Sequence, residues 1–290
     1  MQRPSVDAAA GGTRIALFEN PASGSGDAAA VARTLGDAGA AVESFELDQV
    51  EEALATRPAR IVVAGGDGSL APAAATAARA GTPLAIVPTG TANDLARALG
   101  LPDSIDDAAK LAAAGTSTRR IDLAWMGERP FLNVASIGLA PAAARRAKGL
   151  KRVLGPVSYA VGAVRAAAVA KPVGCLVRCD GAELFAGEAW QATVASSGAF
   201  GAGARVEADP ADGMLDAVVI AAGPRSALAV RAYGLRSGSL TSQHDVHSAR
   251  ARTVDIELAG LTPFNVDGEL VESGSTRFRA EARAVEVVVG

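Results

Sequence analysis

The chain has no surplus of basic charge, only two cysteines and no long apolar run, and each shortage removes a class of function. Lys and Arg total 28 against 31 Asp and Glu, a net charge of −3. Nucleic-acid binders carry a basic excess, so a nucleic-acid partner is not expected. No segment reaches the ~18 apolar residues of a membrane span, and residues 1–12 have no apolar core of signal-peptide length. The expectation is a cytoplasmic protein, at most peripheral to a membrane. Cys175 and Cys179 are four residues apart, a spacing that fits neither a zinc ribbon nor a redox pair, and they read as reduced structural residues. No GxxxxGK[ST] loop occurs, which excludes an ordinary Walker ATPase. His244 and His247 have no third metal ligand nearby and read as surface residues, while Trp125 and Trp190 read as core.

What is present suffices for two hydrophobic cores: 290 residues, 49% of them hydrophobic. Strands are expected at 14–19, 41–47, 60–64 and 83–87, and helices at 28–38, 50–56, 70–80 and 94–99. Repeated βα units imply a parallel sheet covered by helices, Rossmann-like in character. Beyond residue 120 strands are expected at 121–126, 176–179, 190–196, 215–221, 253–258 and 285–289, with one helical interruption at about 140–170. The fold class is therefore α/β plus mostly-β: an α/β domain at 13–125 and an antiparallel β-rich domain at 126–290. The active site is expected between them, with a tight hinge near 125 and the last strand free to return to the first domain.

Two strand-to-helix turns carry most of the chemistry, Gly65-Gly66-Asp67-Gly68-Ser69 and Pro88-Thr89-Gly90-Thr91-Ala92-Asn93-Asp94. Open α/β sheets bind ligands at the carboxyl ends of their strands. Glycines let the main chain approach a phosphate, a helix amino terminus favours an anion, and Asp67 can hold the accompanying metal. A separate turn, after the strand at 14–19, contains Gly24-x-Gly26-x-x-Ala29, with Glu43 or Glu46 about 20 residues on, a weak dinucleotide fingerprint that reads equally as a plain turn. Asp209, Asp212 and Asp216 surround Gly213, as a hard-cation loop or an Asx turn would. Asp267 and Glu269 flank Gly268, which places two carboxylates at one site or marks a surface hairpin. Between 139 and 179 stand eight basic residues (Arg145, Arg146, Lys148, Lys151, Arg152, Arg165, Lys171, Arg178) and no acidic one. Such a segment suits an anionic lipid surface or forms a solvated helix face.

Taken in order, Asn20-Pro21-Ala22-Ser23-Gly24, the GGDGS and GTAND turns, Phe131-Leu132-Asn133 with Ile137-Gly138, the stretch 209–216 and Val266-Asp267-Gly268-Glu269 resemble the diacylglycerol kinase catalytic family. That family includes bacterial lipid kinases and the sphingosine and ceramide kinases. NAD kinases share the GGDG turn, but the Asn-Pro and GTxND loops point to the lipid-kinase branch. The resemblance implies an ATP site formed by Asn20, Pro21, Ala22, Ser23, Gly24, Gly65, Gly66, Asp67, Gly68, Ser69, Leu70, Gly90, Thr91, Asn93 and Asp94. It implies Asp67, Asp94 and Asp122 as an acidic group for magnesium and catalysis. It also implies a second, structural magnesium on the Asp212 carboxylate and the main-chain carbonyls of Asp209 and Met214. Glu269 is the implied general base, with Asp267 its neighbour or alternative. The implied activity is ATP- and Mg2+-dependent phosphorylation of a diacylglycerol-like lipid at a membrane surface; a homodimer is allowed, and the oligomeric state stays open. A kinase of a soluble acceptor and a non-catalytic lipid or nucleotide binder are the alternatives. Two departures stand out. The family follows GGDG with Thr and then Asn-Glu, where this chain has Ser69 and Leu70-Ala71-Pro72, and a threonine expected near 45–48 is missing.

Overall fold

The computed structural model describes residues 12–19, 25–90, 93–142, 170–197, 209–228, 241 and 243–290. Asn20, Pro21, Ala22, Ser23, Gly24 and Thr91 lie outside the described residues, as do Arg145, Arg146, Lys148, Lys151, Arg152 and Arg165 of the basic segment.

The amino-terminal half runs β1 (Arg14–Glu19), α1 (Ser25–Asp37), β2 (Ala41–Glu46), α2 (Val50–Ala55), β3 (Arg60–Gly65), α3 (Asp67–Ala80), β4 (Leu84–Pro88), α4 (Asp94–Ala98) and α5 (Ile105–Ala114). Strands β2, β1, β3 and β4 lie side by side and parallel. The apolar runs of β3 and β4 are continuous because helices cover both faces of the sheet. Ile61 and Val63 pack with Leu70, Ala74 and Ala77 of α3, while Val62 and Ala64 pack with Val31 of α1 and Ala109 of α5. Helix α1 begins at Ser25, so Gly26 to Ala29 of the supposed dinucleotide fingerprint lie within a helix, not a loop. Helix α5 was not expected from hydrophobic spacing. Its signal was the cap: the Ser104 hydroxyl accepts from the Asp107 N–H at 3.3 Å, with Asp106 and Asp107 in the first turn.

The second half is β5 (Ser117–Met126), β6 (Arg129–Phe131), β7 (Val134–Gly138), β8 (Val173–Cys179), β9 (Ala182–Ala195), β10 (Leu215–Ala221), β11 (Val246–Ala251), β12 (Thr253–Leu258), β13 (Thr262–Val266), β14 (Glu269–Ser273) and β15 (Thr276–Val289). Its strand pairs are antiparallel, around a core holding Phe131, Phe264 and Phe278. Phe131 meets Phe278 edge-on at 6.1 Å. Cys175 and Cys179 are free and buried on β8, their thiols pushed up to about 11 by burial, so they pack as apolar groups. Trp190 is buried, its indole N–H donating to the Gly223 carbonyl at 3.1 Å.

Near residue 125, where a tight hinge was expected, β5 runs on to Met126 and the chain turns at Gly127 into β6. Strand β15 pairs with β12 of the β-rich half, with β4 of the α/β half through Val287 and Leu84, and with β5 along nearly its whole length. The β5–β15 register shifts once, between Glu281 and Val285, where Arg283 adopts φ 52°. The Asp122 carboxylate accepts the Arg283 N–H at 2.7 Å and so pins this bulge.

Candidate active site

The chain goes from β1 out to β2 and returns to β3 on the other side of β1, which makes the carboxyl ends of β1 and β3 the switch point of the sheet. Helix α3 opens there. Its cap is Gly66, with no side-chain acceptor, so the N–H groups of the first turn are not met by a capping side chain and can face an anion. The GGDGS and GTAND turns are packed against each other. A Cβ on Gly90 would lie 2.5 Å from the Gly66 Cα and 2.7 Å from Asn93 Oδ1, so only glycine allows this approach. Asn93, at φ 49°, closes the second turn through its side chain, accepting from Gly90 N at 3.1 Å and donating to Gly90 O at 2.9 Å. Leu70 packs into the core and Ser69 is buried beside Gly65, so neither side chain lies open to solvent. Among the described residues the buried Thr89 hydroxyl has no hydrogen-bond partner.

Five acidic residues were expected at the site, Asp67, Asp94, Asp122, Asp267 and Glu269, and the structure gives them different duties. Asp67 Oδ1 accepts from the N–H groups of Asp94 (3.0 Å) and Leu95 (3.4 Å) and from Asn133 Nδ2 (3.2 Å). Burial, and then the charge of Asp94, raises the Asp67 carboxyl above its ordinary range. Asp94 pairs with Arg97 at 3.0 Å. Asp267 and Gly268, at φ 47° and 89°, form the two-residue turn between β13 and β14, so the hairpin reading holds. Yet Asp267 is buried, and its carboxylate accepts from the N–H groups of Leu132 (2.7 Å), Asn133 (3.0 Å) and Val134 (2.9 Å). Burial pushes its carboxyl up to about 7 against the pull of those three donors, with a further push from Asp67.

Glu269 is the carboxylate left at the surface. Its Oε1 lies 3.0 Å from where a Cβ on Gly68 would stand, and it pairs with Arg129 of β6. A side chain at 68 would push the Glu269 carboxylate away from the first turn of α3. A cavity of about 150 Å³ opens beside the pair, with Ala71 and Pro72 of α3 on one wall. Two participants escaped the sequence reading. Asn133 joins the halves: its main-chain N–H donates to Asp267, its amide nitrogen to Asp67, and its amide oxygen accepts from the Ser197 hydroxyl at 2.7 Å. Its place in Phe131-Leu132-Asn133 was the available signal. Arg129 had none.

Asp122 does not stand with Asp67 and Asp94. It serves the loop at 209–216, accepting from Gly213 N at 2.6 Å, while its own N–H donates to the Pro210 carbonyl at 2.6 Å. In that loop Asp209 Oδ1 accepts from Ala211 N at 3.0 Å and Asp212 Oδ1 from Met214 N at 2.9 Å, both Asx turns. Arg250, directly across from Asp216 in the β10–β11 register, pairs with Asp212 and approaches Asp216 at 3.6 Å. Burial pushes the Asp216 carboxyl up to about 6, partly relieved by Arg250. His244 is exposed and pairs with Asp245, and the His247 ring leans on Phe185. Among the described residues no three His, Cys, Asp or Glu side chains are grouped to hold a metal.

Residues 14–126 match the Diacylglycerol kinase catalytic domain family, and residues 133–289 match the YegS C-terminal NAD kinase beta sandwich-like domain. A Pseudomonas aeruginosa relative named "Probable lipid kinase YegS-like" is 34% identical over 248 residues, covering 82% of this chain and 79% of that protein. A Mycobacterium tuberculosis protein named "Diacylglycerol kinase" is 27% identical over 235 residues, 79% of this chain and 76% of the relative. In fold, the chain is similar to the crystal structure of a diacylglycerol kinase from Bacillus anthracis, with a TM-score of 0.75 at 23% identity over 96% of this chain and 97% of that one. With both halves matched in order around one cleft, the chain belongs to the YegS-like branch of the diacylglycerol kinase family of lipid kinases.

Proposed function

We propose that the protein transfers the γ-phosphoryl group of ATP to a hydroxyl of diacylglycerol or a similar amphipathic lipid. One observation carries this reading: Glu269, from the β-rich half, stands over Gly68 in the first turn of α3, the turn whose N–H groups suit a phosphate. Acceptor base and phosphate site thus meet across the cleft. In the transfer, the acceptor oxygen forms a bond to the γ-phosphorus, the bond from that phosphorus to the bridging β–γ oxygen breaks, ADP leaves, and Glu269 takes the hydroxyl proton. Asp267 is the less suited base, since three main-chain N–H groups already occupy its oxygens. Its work is to hold the Leu132–Val134 turn, and through Asn133 the position of Asp67.

Magnesium accompanying ATP would be held by Asp67 and Asp94, whose mutual repulsion suits a divalent cation, and it would supply charge neutralisation at the phosphate oxygens. A second, structural magnesium at 209–216 rests on the family resemblance: it would draw on Asp212 with the carbonyls of Asp209 and Met214, and it would have to displace Arg250 from the Asp212 carboxylate. The basic segment 145–171 would draw the protein to an anionic lipid surface, since each basic residue near such a surface adds ~1 kcal/mol of attraction.

Purified protein with ATP, magnesium and diacylglycerol in mixed micelles should yield phosphatidic acid. Glu269→Ala and Asp67→Ala should each lower kcat by about a hundred-fold or more. Turnover of NAD or another soluble alcohol, with none of lipid, would favour the soluble-acceptor reading that the name of the carboxyl-terminal domain family suggests. Charge reversal at Arg145, Arg146 and Lys148 should weaken binding to anionic vesicles, and unchanged binding would remove that segment from the account.

A further inference from the structure

The departure of this chain from its family at Leu70-Ala71-Pro72 falls on the wall of the cavity beside Glu269. Where the family pattern supplies Asn and Glu, this wall has a methyl group and a proline ring. Pro130 and Val266 form further lining. None of these four side chains can donate or accept a hydrogen bond, and the two prolines have no N–H. Arg129, Asp267 and Glu269 complete the lining with Gly68; Glu269 pairs with Arg129, and Asp267 accepts from its three main-chain donors. A volume of about 150 Å³ accommodates a group the size of benzene.

On the lipid-kinase reading, we infer that Ala71 and Pro72 set acceptor specificity. The cavity seats the carbons next to the reacting hydroxyl, and it selects a neutral lipid with a single free hydroxyl over a headgroup bearing a second one. The reacting hydroxyl donates to Glu269. A neighbouring hydroxyl laid against Ala71, Pro72, Pro130 and Val266 would find no side-chain partner on that wall, and apolar walls discriminate against such a group by about ten- to a hundred-fold.

The test uses the full chain with Mg-ATP and mixed micelles containing either dioleoylglycerol, with one free hydroxyl, or dioleoylphosphatidylglycerol, with two adjacent ones. The expected kcat/KM ratio favours dioleoylglycerol by about ten-fold or more. Ala71→Asn and Pro72→Glu should bring the ratio close to one. Ala71→Ser, which adds a hydroxyl at little cost in volume, should move it part of the way. KM for ATP should stay within about two-fold in Ala71→Ser, because the change lies on the acceptor side. If the wild type uses both lipids equally, or if the ratio stays put in Ala71→Ser and in whichever larger variant folds, the inference is wrong while the lipid-kinase reading stands. If the wild type phosphorylates neither lipid nor any other, both fall.

Discussion

Asp267 answers two demands with one residue. The turn requires a positive φ, which Asp tolerates better than most residues, and the buried segment Leu132–Val134 requires an acceptor for three N–H groups. Asparagine would keep the turn but offer a single acceptor oxygen, so Asp267→Asn should destabilise the protein by about 1–3 kcal/mol. The folded-state carboxyl, raised to about 7, binds its proton more tightly than the unfolded chain does. Its contribution to stability is therefore fully present below the ordinary carboxyl pKa and is lost as pH rises through about 7. The asparagine variant lacks this slope, so its deficit should shrink between pH 5 and pH 8. Urea midpoints of both proteins across that interval check this, and parallel curves would refute the assignment. At Asn133, replacement by Asp preserves an oxygen for Ser197 but puts an acceptor against Asp67. A fall in kcat of about ten-fold or more, with a thermal midpoint lowered by only a few degrees, is expected from paired kinetic and melting measurements. Of these residues, Glu269 and Asp67 were legible in the sequence because their motifs are short and local. Arg129 was not, since its partner lies 140 positions away and nothing nearby in the chain marks it.

Among the elements, the glycine contact between the β3–α3 and β4–α4 turns has the least tolerance. Gly90→Ala would press a methyl group onto the backbone of Gly66, which cannot yield as a side chain can, and should cost about 1–3 kcal/mol along with much of the affinity for ATP. Calorimetry and the KM for ATP test both halves of that statement, and an unperturbed alanine variant would mean the turns are not locked together. The loop at 209–216 makes a separate prediction. Magnesium should raise the melting temperature of the wild type even without nucleotide, and Asp212→Asn should abolish the shift. Strands β1, β3 and β4 could be read from sequence because both their faces are buried and their apolar runs are unbroken. Strands β6, β7, β11, β13 and β14 have three to six residues each and mostly one buried face, too little pattern to find. The Asp267-Gly268 turn was visible as a hairpin, but its inward carboxylate was not, because burial there is decided by the β6–β7 turn, far away in the chain.

At the level of the molecule, β15 belongs to both halves. It lies against β4 and β12, and with β5 it forms a ladder through the whole protein. A fragment of residues 12–126 would leave the β4 edge bare and remove Val285, Val287 and Val288 from the cores. It should aggregate or unfold without a cooperative transition, and a soluble fragment that melts cooperatively would contradict this. The sequence permitted a return of the final strand without showing that it would be shared, because pairing partners are a property of the assembled sheet.

That sharing has a consequence for biosynthesis. As the chain is made, the segment holding both phosphate-facing turns leaves the ribosome early, but the strand that completes its sheet follows only after the entire β-rich half. A nascent chain thus cannot finish the parallel sheet that carries those turns ahead of the part that supplies Glu269. On the proposed reading, nucleotide site and acceptor base would mature together, which would keep an unfinished chain from holding an ATP site with no acceptor half to direct it.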